Sequence, residues 1–498
     1  MYVTLPGLGG TGSAQLEFFP VDKQHDLTPG IPAEEYESRR RSLMERLPDN
    51  SLVVAVAAPV KYMSANIFYK YRQASDFWYL TGLEEPDSAV ILEKTSSSKG
   101  YRMTIFSSGK DPVKEKWDGA RTSYKDIETM FQADNSVPIS TFTSQLKSLV
   151  SSHSNVFVDI PTSTTSSRKN PSSRSLLKYL TTSLRSEPEN ALDSISSFKR
   201  RPLAPEVAKL RSLKSPAEQQ LMLKAGTISG RAHAKTMRFA EPGMSESFLA
   251  AHFEYICSLN GAQRPAYVPV VASGANSLII HYTSNNQVIG EDELVLIDAG
   301  CEYNGYASDI TRTFPASGTF SPPQRDLYTA VLDAQRELVA LCSEAKNISL
   351  HELHRMSIKL LRQNLNQIGF NLGFENDLER VLYPHYLSHP IGIDLHESTY
   401  IDRNAAYVFS LVLFCSRLLT VDSHLVGRLK QGNVITIEPG VYVPPSTNFP
   451  KHFHNLGVRI EDEVLVGEDA PIVLTASAPK EIEDVEGACQ GRLGFEAY

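Results

Sequence analysis

Two aspartates on either side of a tight turn set the strongest limit on how this chain folds. An apolar run leads to Asp298, and the chain returns through Asp309 after the turn residues Asn304 and Gly305. Asn-Gly is the favoured two-residue hairpin turn, so this stretch predicts two antiparallel strands. With that turn at the tip, Gly300 lies opposite Asp309, and Asp298 is a diagonal neighbour of Asp309 on the same sheet face. This geometry favours a metal or catalytic site, although aspartates also flank ordinary turns.

Two more carboxylates end short apolar strands. Glu438 follows one strand and precedes Pro-Gly, and Glu461 ends another. Because strand side chains alternate with a period of two, Arg459 and Glu461 lie on one face of their strand. A surface-facing strand has the same alternation, so each strand alone leaves both interpretations open.

Three histidines within twelve residues form the next candidate group. His385, His389 and His396 are interrupted by Pro and Gly, so they cannot share one long helical face. The pair at i and i+4 also lacks the interior Glu of the zinc-protease helix, which argues against that site. His281 is a fourth candidate, although a lone His after apolar residues is more often a core residue.

Two blocks and a connection account for most of the 498 residues. The first block alternates strand-like and helix-like segments, which predicts an α/β layer. The second block begins with a capped helix and predicts an α+β fold, with helices covering one face of a curved antiparallel sheet. Its helices are expected at 216–239, 245–260, 323–345 and 350–368, and its strands near 267–272, 293–298, 434–438 and 458–466. The expected divisions are an extended arm at 1–31, the first block at 32–195, a connection at 196–214, the second block at 215–475 and a tail at 476–498.

Composition excludes several classes of protein. The 49 Lys and Arg against 57 Asp and Glu give a net charge of -8, which disfavours nucleic acid as a partner. The longest apolar run, 407–415, is too short for a bilayer helix, so no transmembrane segment is expected. Five scattered cysteines do not form a disulfide framework or a cysteine zinc site.

In chain order, the carboxylates and the central histidine resemble the metal ligands of the pita-bread metallopeptidases. Those five positions here are Asp298, Asp309, His389, Glu438 and Glu461. Residues 71–82 are similar to the N-terminal domain of aminopeptidase P, which the methionine aminopeptidases lack. The resemblance covers about residues 27–475 and implies a C-terminal pita-bread catalytic domain after an α/β N-terminal domain. Residues 27–30 and 84–88 resemble the mitochondrial branch of the family, which includes the fungal intermediate-cleaving aminopeptidases.

Charge repulsion explains why such a site needs cations. Close carboxylate pairs repel by about 4 kcal/mol at an effective dielectric near 20. Two divalent ions offset four carboxylates, and a water held between them ionises near neutral pH because its pKa falls from about 15.7 to about 7. Oxygen-rich ligation suits Mn or Mg, while Co or Zn also fit such a site. The resemblance implies manganese.

The resemblance also implies roles for individual side chains. Glu438 is expected to act as the general base, and Asp298 to hold the α-amine of the peptide together with one metal ion. Four more side chains are expected to bind the peptide, support the oxyanion, transfer a proton or orient their neighbours. These are His281, His385, His396 and Arg459.

Substrate and location follow from the resemblance alone. The expected substrates are peptide or protein N-termini, with either proline after the scissile bond or a single bulky residue trimmed from imported mitochondrial proteins. A homo-oligomer is expected. The location is mitochondrial by resemblance, with cytoplasmic as the alternative, since the first basic residue is Lys23 and no presequence is visible.

Two competing functions remain. A pita-bread relative without catalysis would bind peptides or proteins, but such relatives lose ligands, and all five ligand types are present here. A prolidase-type dipeptidase shares the metal site, but the N-terminal block favours aminopeptidase P.

Residues 405–429 depart from the family pattern. Family members have a short loop there, whereas this chain has an apolar run followed by a polar stretch with a histidine. Two hypotheses stand, an additional docked element or the translation of a retained intron.

Overall fold

The computed structural model describes residues 26–158, 195–196, 198–373, 377–397, 427–494 and 496. The expected arm up to residue 25 and residues 405–426 of the expected insertion lie outside the described residues. Within the described part, no helix is both long enough and apolar enough to cross a membrane.

The N-terminal unit is built on a six-stranded mixed sheet. Its strands, in spatial order, are Arg200–Pro202, Asn155–Val158, Ser51–Val56, Ala89–Lys94, Tyr101–Ser107 and Asn135–Pro138. The central antiparallel pairs are flanked by parallel pairs. The helices are Ala33–Arg46, Ser75–Thr81, Pro112–Asp118, Tyr124–Met130, Phe142–Ser152 and Ala204–Arg211. Every residue of Ser51–Val56 is buried, as expected for a central strand covered on both faces.

Short hairpins complete this unit. Their strands are Asp26–Thr28 with Ile31–Pro32 and Tyr62–Ser64 with Ile67–Phe68. Much of the expected connection at 196–214 has regular structure, because Arg200–Pro202 pairs with Asn155–Val158 as an edge strand and Ala204–Arg211 is helical.

The C-terminal unit combines antiparallel sheets with long helices, so the α+β prediction is confirmed. Its helices are Pro216–Phe239, Glu246–Leu259, Pro322–Val339, Leu350–Gln367 and Ile482–Cys489. The first begins at a capping box formed by Ser215 and Glu218, as the sequence predicts. The last lies in the expected tail and packs on the first through buried Val485 and Ala488.

The strands of this unit pair in small antiparallel groups. Three groups have three strands each. The first is Arg264–Pro265, Cys301–Tyr303 and Tyr306–Ala307, the second is Val270–Ser273, Leu294–Asp298 and Thr311–Pro315, and the third is Val434–Ile437, Asp462–Leu465 and Ile472–Val473. In addition, Gly440–Tyr442 pairs with Gly457–Arg459.

Two sequence-based boundaries were wrong. The helix expected over 323–345 ends at Val339, because the chain then turns and Glu344 N donates to Gly467 O at 2.9 Å. The strand expected over 458–466 is broken, because Gly457–Arg459 pairs with Gly440–Tyr442 while the next residues pair with Val434–Ile437. The two pairings lie on either side of Glu438, so the residues between them, Ile460 and Glu461, pass beside it.

Candidate metal centre

The aspartate hairpin has the predicted register. Tyr303 pairs with Tyr306, and Asp298 pairs with Thr311. Both pairs share one register, so Asp298 and Asp309 are diagonal neighbours, which confirms the geometry expected from the Asn-Gly turn.

A glycine allows the two hairpin strands to approach closely. A Cβ on Gly300 would stand 1.8 Å from the carbonyl oxygen of Ser308. At the tip, Asn304 and Gly305 have φ of 47° and 84°, the left-handed conformation that this turn requires.

Glu461 is held where the broken strand crosses the hairpin. Its backbone N donates to Thr311 O at 3.1 Å, and the Thr311 hydroxyl donates to Glu461 Oε2 at 2.7 Å. The carboxylate is therefore fixed beside the aspartate hairpin although it is distant in sequence.

His389 is fixed through its backbone. Its N donates to Thr436 Oγ1 at 3.1 Å, and Thr436 N donates to His389 O at 2.9 Å. Its Nε2 lies 3.4 Å from Asp309 Oδ2 and 3.8 Å from Glu438 Oε1. One ligand atom from each of Asp309, His389 and Glu461 lies within 4.8 Å of the others.

Asp298 is held from two sides. Arg459 Nη2 donates to its Oδ2 at 2.6 Å, and the Tyr267 hydroxyl lies 2.6 Å from its Oδ1. The same hydroxyl lies 2.5 Å from Asp309 Oδ1, so it bridges the two aspartates. Arg459 also donates to the Tyr442 hydroxyl at 2.7 Å.

The other predicted histidines surround this cluster. His385 Nδ1 lies 3.8 Å from Glu438 Oε2. The ring of His396 meets that of His389 edge-on, with centroids 4.2 Å apart. His281 is exposed, yet it is near enough to help lower the pKa of His385 and of His396.

The carboxylates are buried together. Burial, followed by the charges of its carboxylate neighbours, raises the pKa of Glu461 well above its usual value. Burial likewise raises the pKa of Asp309 and takes the pKa of Glu438 to about 8. Although burial opposes protonation of His389, Asp309 and Glu438 raise its pKa to about 9.

These shifts describe carboxylates crowded together in a buried site. Carboxylate oxygens and an imidazole nitrogen are suitable ligands for a divalent cation, and a cation would offset both the burial of these charges and their mutual repulsion. The residues therefore fit a divalent metal centre.

Four site residues lay outside the sequence-based candidates. They are Tyr267, Thr311, Thr436 and Tyr442. The sequence does point to Tyr442, because it lies four residues after Glu438 and the period-two alternation of a strand places both side chains on one face. Thr436, two residues before Glu438, and Thr311, opposite Asp298 in the hairpin, carried the same kind of signal. Tyr267 lies in an irregular stretch, and no local pattern reveals its contact with the aspartates.

Known proteins resemble this chain along most of its length. The model of metallopeptidase family M24 matches residues 220–468, and that of the aminopeptidase P N-terminal domain matches residues 36–157. Intermediate cleaving peptidase 55 of Saccharomyces cerevisiae is 39% identical over 477 residues, covering 95% of this chain and 87% of the relative. Human Xaa-Pro aminopeptidase 3 is 34% identical over 480 residues, covering 93% and 87%.

A solved structure shows the same fold. The crystal structure of Icp55 from Saccharomyces cerevisiae with an N-terminal 58-residue deletion has a TM-score of 0.76 at 36% identity, covering 93% of this chain and 99% of that chain. Aminopeptidase PepP of Pseudomonas aeruginosa gives a TM-score of 0.77 at 30% identity, with the same coverage. The chain therefore belongs to metallopeptidase family M24, with an aminopeptidase P N-terminal domain preceding a pita-bread catalytic domain.

Proposed function

We propose that this chain is a metal-dependent aminopeptidase that hydrolyses the first peptide bond of polypeptides, in the manner of the Xaa-Pro aminopeptidases. The observation that carries the proposal is the buried convergence of Asp309, His389 and Glu461, with Glu438 beside them. Family membership supports the same chemistry.

Five side chains would hold two divalent ions. Oxygen-rich ligation suits manganese or magnesium, and the family resemblance implies manganese. They are Asp298, Asp309, His389, Glu438 and Glu461. When bound, the ions supply a Lewis acid and an acidic water with a pKa of about 7.

Glu438 is the proposed general base. Its Oε1 lies 3.8 Å from His389 Nε2 and its Oε2 lies 3.8 Å from His385 Nδ1, so the carboxylate stands beside the proposed ligands. A carboxylate in that position can accept the proton of the attacking water.

Asp298 is the proposed site for the peptide amine. Its side chain is 16% exposed, whereas that of Asp309 is 7% exposed, so Asp298 lies nearer the open side of the cluster. A carboxylate there pairs with the positive α-amine of a peptide, which explains removal from the N-terminus.

The histidines supply neutral rings around the peptide. Burial is the main cause that lowers the pKa of His385 to about 3, and partial burial is the main cause that lowers the pKa of the more exposed His396 to about 4, so both rings are neutral at pH 7. His385 already donates from Nδ1 to Tyr386 O at 2.9 Å, so its Nε2, 3.0 Å from the Tyr442 hydroxyl, is an acceptor, and His396 is the proposed donor to the peptide. His281, exposed at the edge, is the proposed contact to the peptide beyond the scissile bond, and Arg459 holds Asp298.

The relatives' names support a biological role. Intermediate cleaving peptidase 55 of Arabidopsis thaliana is described as mitochondrial and is 35% identical to this chain. We infer that the chain trims single N-terminal residues from imported proteins in mitochondria, and that it acts as a homo-oligomer.

Purified protein with Mn²⁺ tests this function on matched peptides. We expect release of one residue from a free N-terminus and no cleavage of the N-acetylated peptide, since acetylation removes the charged amine. Equal cleavage of both peptides would contradict the proposed amine site. Activity restricted to dipeptides would indicate the prolidase alternative.

Substrate choice is tested in cells. We expect proteins of the mitochondrial matrix to carry N-termini one residue longer when the gene is deleted, as read by N-terminal proteomics. Unchanged termini would contradict the trimming role.

A further inference from the structure

The segment after the imidazole ligand lacks regular secondary structure. Residues 391–397 form neither helix nor strand, whereas His389 is tied to the neighbouring strand by two hydrogen bonds with Thr436. The first two residues of the segment are tied to strands, because Ile391 N donates to Val434 O at 3.2 Å and Ala307 N donates to Gly392 O at 2.8 Å. The position of His396, further along, therefore depends on contacts made by residues 393–397.

Glu397 closes the segment on itself. Its Oε1 accepts from Ile393 N at 3.0 Å, and its backbone N donates to Pro390 O at 2.9 Å. A Cβ on Gly392 would stand 2.4 Å from the same Oε1, so the carboxylate packs directly on the backbone.

Arg211 connects this carboxylate to the N-terminal unit. Its Nη2 lies 2.8 Å from Glu397 Oε1 and 2.7 Å from Asp394 Oδ2, and its Nη1 lies 2.8 Å from Asp76 Oδ1. Lys214 Nζ lies 2.8 Å from Glu397 Oε2. Burial opposes ionisation of Glu397, yet Lys214 and Arg211 keep its pKa below the usual value. We call these five residues the Arg211 cluster.

Two more side chains of the N-terminal unit reach the same segment. Ser75 Oγ donates to Asp394 Oδ1 at 2.5 Å, and Arg72 Nη2 donates to Ile393 O at 2.7 Å. Both belong to residues 71–82, the stretch that carried the resemblance to the aminopeptidase P N-terminal domain. Through these contacts, residues 71–82 of the N-terminal unit help to hold residues 393 and 394 of the C-terminal unit in place.

His396 is the side chain in this segment that faces the metal centre. It precedes Glu397 and meets the His389 ring with centroids 4.2 Å apart. Since His389 is held independently by Thr436, loss of the Arg211 cluster would displace His396 before it displaced the metal ligand.

We propose that Arg211 is a positioning residue that holds His396 at the metal centre through Glu397 and Asp394, and that Asp76 makes this position depend on the N-terminal unit. The claim that Arg211 acts on hydrolysis through His396 rests on the proposed function. The claim that Arg211 anchors the segment does not depend on that function.

Hydrogen exchange tests the anchoring. We expect R211Q to raise amide exchange across 393–397 at least tenfold. The matched control is R39Q, because Arg39 is also buried and also links the two units. Its hydrogen bonds and ion pairs go to Glu35, Tyr79, Glu218 and Tyr306. We expect exchange across 393–397 to change less than twofold in R39Q, and wild-type exchange in R211Q would overturn the proposal.

A double-mutant cycle on kcat/KM tests the action through His396. We expect R211Q and H396N each to lower kcat/KM at least tenfold, while adding R211Q to H396N changes it less than twofold. Independent, multiplying losses would overturn the role of His396 as the intermediary. D76N, which leaves Arg211 in place, provides the same cycle if R211Q does not fold.

The two tests separate the proposals. An inactive wild-type protein would refute the proposed function, while hydrogen exchange would still decide whether Arg211 anchors the segment.

Discussion

Arg459 donates from Nη2 to Oδ2 of Asp298 at 2.6 Å, and its side chain is only 2% exposed. This contact orients a carboxylate that belongs to the proposed metal centre. We expect R459K to weaken Mn²⁺ binding about 10- to 100-fold, because lysine cannot also reach the Tyr442 hydroxyl and Thr311 as the guanidinium does. Titration calorimetry measures this loss, and unchanged affinity would show that Arg459 does not orient the ligand.

Replacing the proposed base tests the chemistry of peptide cleavage. We expect E438Q to lower kcat by about 10²- to 10⁴-fold at saturating Mn²⁺, because the amide cannot accept the proton. The control is the thermal unfolding temperature, which should change little. Normal turnover by folded E438Q would rule out Glu438 as the base.

The narrow hairpin predicts a steric effect. We expect G300A to lower the free energy of unfolding by about 3 kcal/mol or more, because its Cβ would overlap Ser308 O. G373A is the matched control, since a Cβ there meets nothing within 4 Å, and we expect a change within about 0.5 kcal/mol. Urea unfolding measures both, and equal stability of the two variants would contradict the described hairpin.

His233 predicts a pH dependence of stability. Burial is the main cause that lowers its pKa to about 4, and its Nε2 donates to Ala299 O at 2.9 Å, beside the aspartate hairpin. Between pH 6.5 and 4 the unfolded chain binds a proton that the folded protein excludes, so stability falls as the pH falls through this window. The loss from this residue is about 1.5 kcal/mol between pH 6.5 and 5.

The variant H233Q isolates this contribution from the other histidines. We expect its unfolding free energy, measured in urea, to fall less steeply over the same pH range than that of the wild type. Equal slopes would show that His233 is not the group responsible.

Local patterns predicted the elements that depend on neighbouring residues. The helix Pro216–Phe239 follows from its cap at Ser215, and the hairpin register follows from Asn304 and Gly305, since capping and turn chemistry act within a few residues. The α+β class followed from the same elements.

Long-range pairing could not be predicted in this way. The strand switch that sets Glu461 beside the hairpin depends on two different partner strands, and the contact of Arg211 with Asp76 and Asp394 joins three distant stretches. Such contacts leave no periodic pattern in the sequence, because only the tertiary fold brings the two residues of each pair together. The resemblance to a known family supplied the ligand set, and its roles remain proposals.

Anomalous diffraction at the manganese edge, from crystals of the protein grown with Mn²⁺, tests the central claim most directly. We expect two manganese peaks among Asp298, Asp309, His389, Glu438 and Glu461. Crystals in which manganese binds elsewhere, or in which these five side chains hold no metal, would contradict the account.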